Sequence, residues 1–487
     1  GVDFGRFLLE NFKVKALIDI SARVFPVPLI GACIVLLEKP EEGEDVDDNE
    51  VVFIYLSVPE GRSLDVDEVL RVIEEPEGAP PHYIVRVMRQ GDIPRDQKWI
   101  NFIFRPEDVL EELEQKTIKL SELFDASYGN ITYVVLASKG IIRGVRNVGG
   151  EKFFYLSESQ AASYGLIPDF IVPLLPSPDY MKFFTFTKED WDKLRQAGKK
   201  CYLFLAHMPR SQLPDHVAEY VRLGETVITL RKKKGEEKPR PVSESLASQA
   251  RRKYKEYFYD WYDVGGFVKC PIYVARGVQY WVRFALAKFP VALDDRVLAL
   301  IPKEDVSLSL EEIKAMLAFL NSSFGQFQAE IKGRSTGGGM IEFDVRTLNN
   351  MMVPNIKKLS ETAINELAAL FDRLEEKARE LGGADTKENC DELFNTVIAE
   401  IDYKVAEILG LPEALADMAR QLAKTMMERR LARAEEARPG ALRGTEEPLA
   451  RAEKRRRRRR RKKSGQSSEG SKSLTEFMES QVKISHI

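Results

Sequence analysis

A short stretch around residue 335 has the composition of a phosphate-binding loop. Gly337, Gly338 and Gly339 follow Lys332 and Arg334 along the chain. Successive glycines let backbone amides approach a phosphate without side-chain obstruction, and the two cations add favourable charge. The stretch therefore predicts contact with a nucleic-acid backbone, with a simple tight turn as the alternative interpretation of the glycines.

Side chains that can read base edges occur in a second glycine-rich segment, residues 140–156. Arg143 and Arg146 carry the guanidinium group that pairs with guanine, and Asn147 carries the amide that pairs with adenine. Phe153 and Phe154 follow. Because double aromatics in a strand usually pack, we favour a core position for them over base stacking. The segment thus predicts base contacts beside a structural aromatic pair.

Basic and aromatic residues alternate between positions 231 and 262. Three lysines precede a second basic group, Arg251–Lys255, which is followed by a Trp-Tyr pair. The cations suit phosphate and the rings suit packing, while a plain solvated helix face explains the basic groups equally well. The residues predicted to contact DNA here are Lys232, Lys233, Lys234, Trp261 and Tyr262.

The motifs of methyl and phosphoryl transfer are missing from the sequence. An Asn/Asp-Pro-Pro-aromatic turn would hold a flipped base, but Asp169-Phe170 lacks the prolines and Ala79–His82 lacks a preceding Asn or Asp. No Walker-type loop occurs either. The four cysteines and four histidines have no metal-ligand spacing, and the acidic clusters are interpreted as solvated faces rather than a nuclease site. We therefore predict no catalytic, cofactor-binding or metal-binding residue in this chain.

Composition places the chain among ordinary globular proteins. Its 487 residues are 44% hydrophobic and 31% charged, which suffices for two or three domains. The longest apolar region, residues 16–37, is broken by charges and two prolines and fails as a membrane span. The net charge of −3 hides segregation, because acidic residues concentrate in 38–75 and basic runs lie elsewhere. We expect a cytoplasmic protein with no membrane partner.

Shifts in composition predict the organisation of the first two parts. In residues 1–115, Ala16–Ile20 and Ala32–Leu37 are nearly continuous apolar runs, typical of α/β-sheet strands that are buried on both faces. An antiparallel pair is expected at 83–88 and 99–104. Residues 116–355 mix strands with short helices and predict a separate α+β domain.

The last two parts differ sharply from each other. Residues 356–435 repeat apolar side chains at helical spacing on either side of Gly382-Gly383, which predicts a hairpin of two helices. Residues 436–487 include seven consecutive arginines, Arg455–Arg461. Like charges in such a block repel one another, so a disordered basic tail is predicted.

An ordered set of segments resembles one family over residues 1–360. Residues 7–19, 23–25 and 33–39 are similar to the late strands of adenine-specific DNA methyltransferases of restriction-modification systems, of the type I and IIG kind. Residues 140–156 and 320–343, with Trp261-Tyr262 between them and Val353-Pro354 after them, resemble the paired edges of the target recognition domain in that family. The resemblance implies a partial Rossmann-like methyltransferase sheet followed by a target recognition domain.

The same resemblance implies a function for the complete enzyme. It would methylate the exocyclic amine of adenine with S-adenosylmethionine, acting on double-stranded DNA by base flipping. Because the cofactor and catalytic motifs are missing here, the chain is expected to begin mid-fold. This part would then choose the DNA sequence while another part binds S-adenosylmethionine.

Two alternatives stay open. In the first, the chain is a non-catalytic recognition subunit that works with a separate catalytic methyltransferase or restriction subunit; it would then expose apolar surface on its first sheet. In the second, it is a structural nucleic-acid-binding protein driven by its basic tail, and deletion of residues 439–487 abolishes binding.

Overall fold

A computed structural model describes residues 2–20, 33–56, 65–80, 83–95, 99–104, 106–129, 151–226, 241–265, 270–336 and 339–436. The chain divides into two units, residues 1–437 and 438–487, and every described residue lies in the first. The predicted basic tail therefore lies outside the described residues. Within them, no helix is both long and apolar enough to cross a bilayer.

Helices and strands intermix along the first unit, as expected for a mixed α/β fold. The helices are α1 Val2–Asn11, α2 Val66–Glu74, α3 Glu107–Lys116, α4 Glu151–Phe154, α5 Glu158–Ser163, α6 Lys188–Gln196, α7 Asp215–Thr226, α8 Leu246–Lys253, α9 Leu310–Leu320, α10 Ser323–Lys332, α11 Val345–Asn349, α12 Glu361–Glu380, α13 Lys387–Asn395, α14 Val397–Leu409 and α15 Glu413–Glu436.

The strands are β1 Lys13–Ile20, β2 Cys33–Glu38, β3 Glu50–Leu56, β4 Tyr83–Arg89, β5 Ile118–Lys119, β6 Phe124–Tyr128, β7 Tyr155–Leu156, β8 Ile171–Leu175, β9 Thr185–Phe186, β10 Tyr202–Phe204, β11 Ile272–Ala275, β12 Gly277–Val278, β13 Phe284–Ala287, β14 Ala292–Leu293, β15 Val297–Pro302, β16 Arg334–Ser335, β17 Ile341–Glu342 and β18 Met352–Val353.

The first sheet has the order β2-β1-β3-β4. Strands β1 and β3 are parallel, whereas β2 and β4 pair antiparallel to them. One face packs on α2 through Val69 and Val72, and the other joins the main core through Leu17 and Phe53. The two central strands are thus covered on both faces, as the apolar run of β1 predicts. The Rossmann-like part of the prediction stays a prediction.

Two details of the first sheet differ from the sequence prediction. Strand β2 is an edge strand, and its Ile34 and Leu37 remain 43% and 41% exposed, so burial on both faces was wrong for it. Residues 99–104 form a 3₁₀ helix instead of the predicted partner of β4. Its adjacent Phe102 and Ile103 are both buried, which a strand with alternating faces cannot achieve against a single core.

The middle of the chain is built on two sheets, of four and five strands. Strands β14-β8-β10-β7 form one, and β6-β15-β11-β13-β9 form the other. A three-stranded sheet, β12-β17-β16, carries the glycine stretch of the sequence analysis. The main hydrophobic core runs from Leu9 to Leu431 and therefore includes residues from each of the first three predicted domains.

Four helices, rather than the predicted two, occupy residues 361–436. Helix α12 ends before Gly382-Gly383, as the glycine pair predicts, and α13, α14 and α15 follow. Three arginines of α15 each pair with a buried carboxylate of a different element: Arg420 with Asp402 of α14, Arg429 with Asp19 of β1, and Arg430 with Glu330 of α10. The last helix thereby joins the first sheet to the middle of the chain.

The Asn321-Ser322-Ser323 motif forms the joint between α9 and α10. The Asn321 side chain accepts a hydrogen bond from the Phe284 amide and donates one to its carbonyl, each at 2.9 Å. Ser322 caps α10, and Ser323 donates from its amide and its hydroxyl to Asp402, each at 2.7 Å. These motif residues therefore hold the middle of the chain against the C-terminal helices.

Asp402 should make stability depend on pH. Burial raises the pKa of Asp402 to about 6, above the value of 3.8 that an unperturbed aspartate has, and Ser323 and Arg420 limit the rise. The folded state thus binds more protons than the unfolded state between these values. This group's contribution to stability is fully present below pH 4 and is lost as the pH rises through 6. We expect wild type to lose on the order of 3 kcal/mol more than Asp402→Asn between pH 4 and 7.

Urea unfolding of both proteins across that pH range measures the difference. The exposed Asp305→Asn serves as the matched control and should follow the wild-type curve. Parallel curves for wild type and Asp402→Asn would contradict the assignment.

Candidate nucleic-acid interface

The hairpin of β16 and β17 flanks the glycine stretch, of which Gly339 is described and is buried. The Thr336 amide donates to the Met340 carbonyl at 2.8 Å, and the Gly339 amide donates to the Thr336 carbonyl at 3.1 Å. Gly339 has a φ of 75°, a left-handed conformation that favours glycine. Arg334 has a 76% exposed side chain and pairs with Glu342 across the hairpin. An exposed guanidinium therefore stands at the base of a tight loop.

The hairpin leaves its preceding helix at a position that only glycine can occupy. A Cβ on Gly333 would lie 2.6 Å from the Ala329 carbonyl oxygen and 2.6 Å from the Ile341 side chain. Contacts that short do not occur between such atoms, so any side chain would push β17 away from α10. The close approach fixes where the loop stands relative to the helix.

Lys332 is less available than its position in the sequence suggests. Its side chain is half-buried at the end of α10, and burial lowers the pKa of its ammonium group, although the nearby Glu114 opposes this effect. To contact a phosphate, the Lys332 side chain would have to leave its half-buried position. Of the two predicted cations of the hairpin, Arg334 is the more exposed.

Arg430 of α15 holds the hairpin loop from the inside. Its guanidinium is almost fully buried and pairs with Glu330 at 2.8 Å. It also donates to the carbonyls of Gln279 at 2.6 Å and Tyr280 at 3.3 Å, and to that of Gly339 in the loop. One side chain thus connects the C-terminal helix, α10 and the glycine loop. The sequence analysis missed this residue, because an arginine on a charged helix carries no local signal of burial.

An aromatic cluster centred on Phe153 contains the aromatic residues that the sequence analysis singled out. Phe153 is its centre: its ring stacks on Tyr220 at 4.7 Å and contacts Phe154 at 5.0 Å, Trp261 at 5.1 Å and Phe204 at 5.6 Å. Both phenylalanines are buried, at 4% and 0% exposure, which confirms the packing interpretation over base stacking.

Trp261 and Tyr262 belong to the same buried layer. Both are fully buried; the Trp261 indole donates to Glu225 at 3.2 Å and the Tyr262 hydroxyl donates to the Met208 carbonyl at 2.9 Å. Their rings face the interior in this structure, so they support the surface rather than form it. We do not retain them among the proposed DNA contacts.

The neighbouring basic group is also largely structural. Arg251 is 1% exposed, donates to the Trp261 carbonyl at 3.0 Å and lies over the Phe154 ring. Arg252 pairs with Asp260 at 3.0 Å. Sequence patterning cannot separate such arginines from phosphate ligands, because both uses place cations beside aromatic residues.

A histidine site that the sequence did not single out lies close by. The Nδ1 atom of His207 lies 2.9 and 3.0 Å from the two carboxylate oxygens of Asp263. Asp263 is fully buried, whereas the His207 side chain is 45% exposed. The His207 ring contacts the ring of Tyr259 at 5.2 Å, and Tyr259 is 50% exposed. We call His207, Asp263 and Tyr259 the His207 site.

The remaining predicted contacts lie outside the described residues. They are Arg143, Arg146, Asn147, Lys232, Lys233, Lys234, Gly337 and Gly338. Their assignment to DNA binding stays a prediction. Within the described ranges, His, Cys, Asp and Glu side chains form no cluster able to hold a metal ion.

The family described as the C-terminal domain of the type II methyltransferase M.Eco57I matches residues 97–238 and 242–391. The chain belongs to this family. The matched ranges contain the hairpin, the aromatic cluster and the His207 site. They place the interface within a C-terminal part of the methyltransferases of restriction-modification systems.

Two further proteins are similar to this M.Eco57I-family chain. The type II methyltransferase M.AccI of Acinetobacter calcoaceticus is 21% identical over 267 residues, which is 55% of this chain and 44% of M.AccI. The crystal structure of the type IIG restriction endonuclease BpuSI shares 15% identity with a TM-score of 0.42, and covers 90% of this chain and 46% of BpuSI. The chain thus spans less than half the length of either protein.

Proposed function

We propose that this chain is the DNA sequence recognition portion of a site-specific DNA adenine-N6 methyltransferase of a restriction-modification or related defence system. The family match over residues 97–391 carries the proposal. Within that range, an exposed arginine and a glycine loop stand on a hairpin that Arg430 anchors from inside. A rigid scaffold under an exposed arginine suits contact with a DNA backbone.

The division of labour follows from the residues available. This chain has no Asn/Asp-Pro-Pro-aromatic motif, so S-adenosylmethionine and the target adenine would be held by the catalytic part of the enzyme. The recognition part would contact the duplex around the flipped base and offset the unstacking energy through groove and phosphate contacts. We place the protein in the cytoplasm, on nucleoid DNA.

Selection of binding sites from a random duplex library tests this function. The full chain should enrich one DNA motif, and a variant lacking residues 439–487 should enrich the same motif. Loss of all binding in the shortened variant would instead favour a nucleic-acid-binding protein driven by its basic tail. Failure of the full chain to enrich any motif would overturn the proposal.

Arg334→Ala should weaken binding to the selected DNA. Removing one phosphate contact is expected to lower affinity by roughly threefold to tenfold and to reduce the slope of log affinity against log salt by about 1. Fluorescence anisotropy at several salt concentrations measures both quantities. Arg373→Ala removes a similarly surface-exposed arginine from α12 and should change neither.

A second candidate is a non-catalytic recognition subunit that docks on a separate catalytic chain. Several large apolar side chains of the N-terminal elements are exposed, which favours a partner that covers them: Phe4, Phe7, Ile34, Leu37, Val66, Leu70, Ile84 and Val87. In both candidates this chain alone should transfer no methyl group from tritiated S-adenosylmethionine to its selected DNA. Incorporation by the chain alone would contradict both.

The coding sequence upstream of Gly1 separates these two candidates. An in-frame Asn/Asp-Pro-Pro-Tyr/Phe motif there supports a recognition portion fused to its catalytic part. A genuine start site next to Gly1 supports a separate recognition subunit.

A further inference from the structure

The His207 site is built like a preorganised anion-binding group. Asp263 is buried, and its two carboxylate oxygens share the Nδ1–H of His207 and accept from the Tyr259 amide at 2.9 Å and from the Gly265 amide at 2.8 Å. A carboxylate accepts and does not donate, so the imidazole carries its hydrogen on Nδ1. The ring is thereby held in one orientation, with Nε2 as its remaining polar atom.

The surface around Nε2 is open and aromatic. Nearly half of the His207 side chain and half of Tyr259 are exposed, although the carboxylate that orients the imidazole is fully buried. A histidine that served only to satisfy Asp263 would not need an exposed ring beside an exposed tyrosine. Among the described residues, no side chain or backbone group is shown to bond to Nε2 of His207 or to the Tyr259 hydroxyl, so both can serve a ligand.

Two ion pairs lie on the elements that surround the His207 site. Arg210, three residues after His207, makes two hydrogen bonds to Glu225 of α7, and Arg252 of α8 pairs with Asp260. Burial raises the pKa of Tyr262 to about 12, so this neighbour stays neutral. Among the described residues, Asp263 is thus the charged group in direct contact with the imidazole.

We propose that His207 binds a phosphate of the bound DNA backbone through Nε2–H, with Asp263 as its positioning residue and Tyr259 as its neighbour in the same contact. This inference rests on the proposed function and adds a specific anion site to it. An imidazolium donates from both nitrogens, one to Asp263 and the other to a phosphate oxygen. No covalent bond joins the protein to the DNA, and His207 takes up one proton from solvent, which forms its Nε2–H bond.

Proton uptake makes the contact visible in the pH dependence of binding. A phosphate at Nε2 stabilises the imidazolium, so the DNA complex holds more protons than the unbound protein near neutral pH. Affinity should therefore fall as the pH rises from 6 to 8, on the order of tenfold more in wild type than in a variant that lacks the imidazole. The loss should be smaller at high salt, because salt weakens all phosphate contacts.

Fluorescence anisotropy of the full chain with its selected duplex, at pH 6, 7 and 8 and constant salt, tests the proposal. The comparison uses His207→Gln, His207→Arg and the matched control His216→Gln, which alters another exposed histidine. We expect His207→Gln to lose the pH dependence and to bind more weakly at pH 6. His207→Arg should bind without pH dependence, and His216→Gln should behave like wild type. Thermal unfolding at each pH confirms that all variants are folded.

Two results would overturn the inference, and they are distinguishable. Equal affinities and equal pH profiles for wild type and His207→Gln would reject the phosphate contact while leaving sequence-specific DNA binding intact. Absence of specific binding by wild type at every pH would reject the proposed function and this inference together.

Discussion

Arg430→Met should lower the free energy of unfolding by about 3–5 kcal/mol, because it leaves Glu330 buried without its cation. The glutamate side chain is 2% exposed and also accepts a hydrogen bond from Gln326 at 3.0 Å. The substitution additionally removes the donors to the Gln279, Tyr280 and Gly339 carbonyls. Urea unfolding at pH 7 measures the change.

A double substitution separates the ion pair from general packing. Arg430→Met combined with Glu330→Met removes both charges and should recover much of the lost stability, because two apolar side chains leave no unpaired ion. The exposed Arg373→Ala, which breaks a pair with Glu400 at the surface, should cost no more than about 1 kcal/mol. Equal costs for Arg430→Met and Arg373→Ala would refute a buried structural role for Arg430.

The same pair of variants links stability to DNA recognition. If Arg430 positions the glycine loop, the double variant should be folded and yet bind the selected DNA more weakly than wild type. The cause would be the lost hydrogen bond to the Gly339 carbonyl, because methionine has no donor to replace the Arg430 guanidinium. Wild-type affinity in a folded double variant would show that the loop keeps its position without this contact.

Phe153→Ala should also cost about 3–5 kcal/mol, the range typical of removing a buried phenylalanine. Its ring contacts four other aromatic rings in a core position that is 4% exposed. The four neighbours belong to separate elements that cannot all move inward, so a cavity should remain. Thermal and urea unfolding give the change directly.

A surface phenylalanine supplies the control. Phe4 is 63% exposed, and Phe4→Ala should change stability by no more than about 0.5 kcal/mol. A small change for Phe153→Ala would show that the cluster collapses around the missing ring. A large loss confined to DNA affinity, with stability unchanged, would instead return Phe153 to the role of a base-stacking residue.

Sequence patterns predicted those elements whose conformation depends mainly on residues close to one another in the chain. The helical character of α12 and the break after it follow from periodicity and from glycine. The central strand β1 follows from a continuous apolar run. The core position of Phe153 and Phe154 was predicted correctly, although both residues lie in helix α4 and not in a strand.

Two predictions were wrong because the same sequence pattern occurs in more than one structural setting. An apolar run such as residues 32–37 suits a central strand, yet β2 lies at the edge because its neighbours in the sheet are chosen by the whole fold. Arg251 and Trp261 satisfy the pattern of a basic aromatic surface, yet both are buried. Burial depends on what packs above a side chain, and a single segment does not contain that information.

By itself, the sequence determined the family, the α/β character and the residue types suited to DNA, since these follow from ordered motifs and from the spacing of apolar side chains. Only the tertiary structure decided that Arg430 reaches Gly339 across 91 positions and that His207 meets Asp263 across 56. Such contacts form when separate elements share one core, so their partners are set by the packing of the chain as a whole. The physical reason is that a buried charge must find a partner wherever the fold brings one, whatever its distance along the sequence.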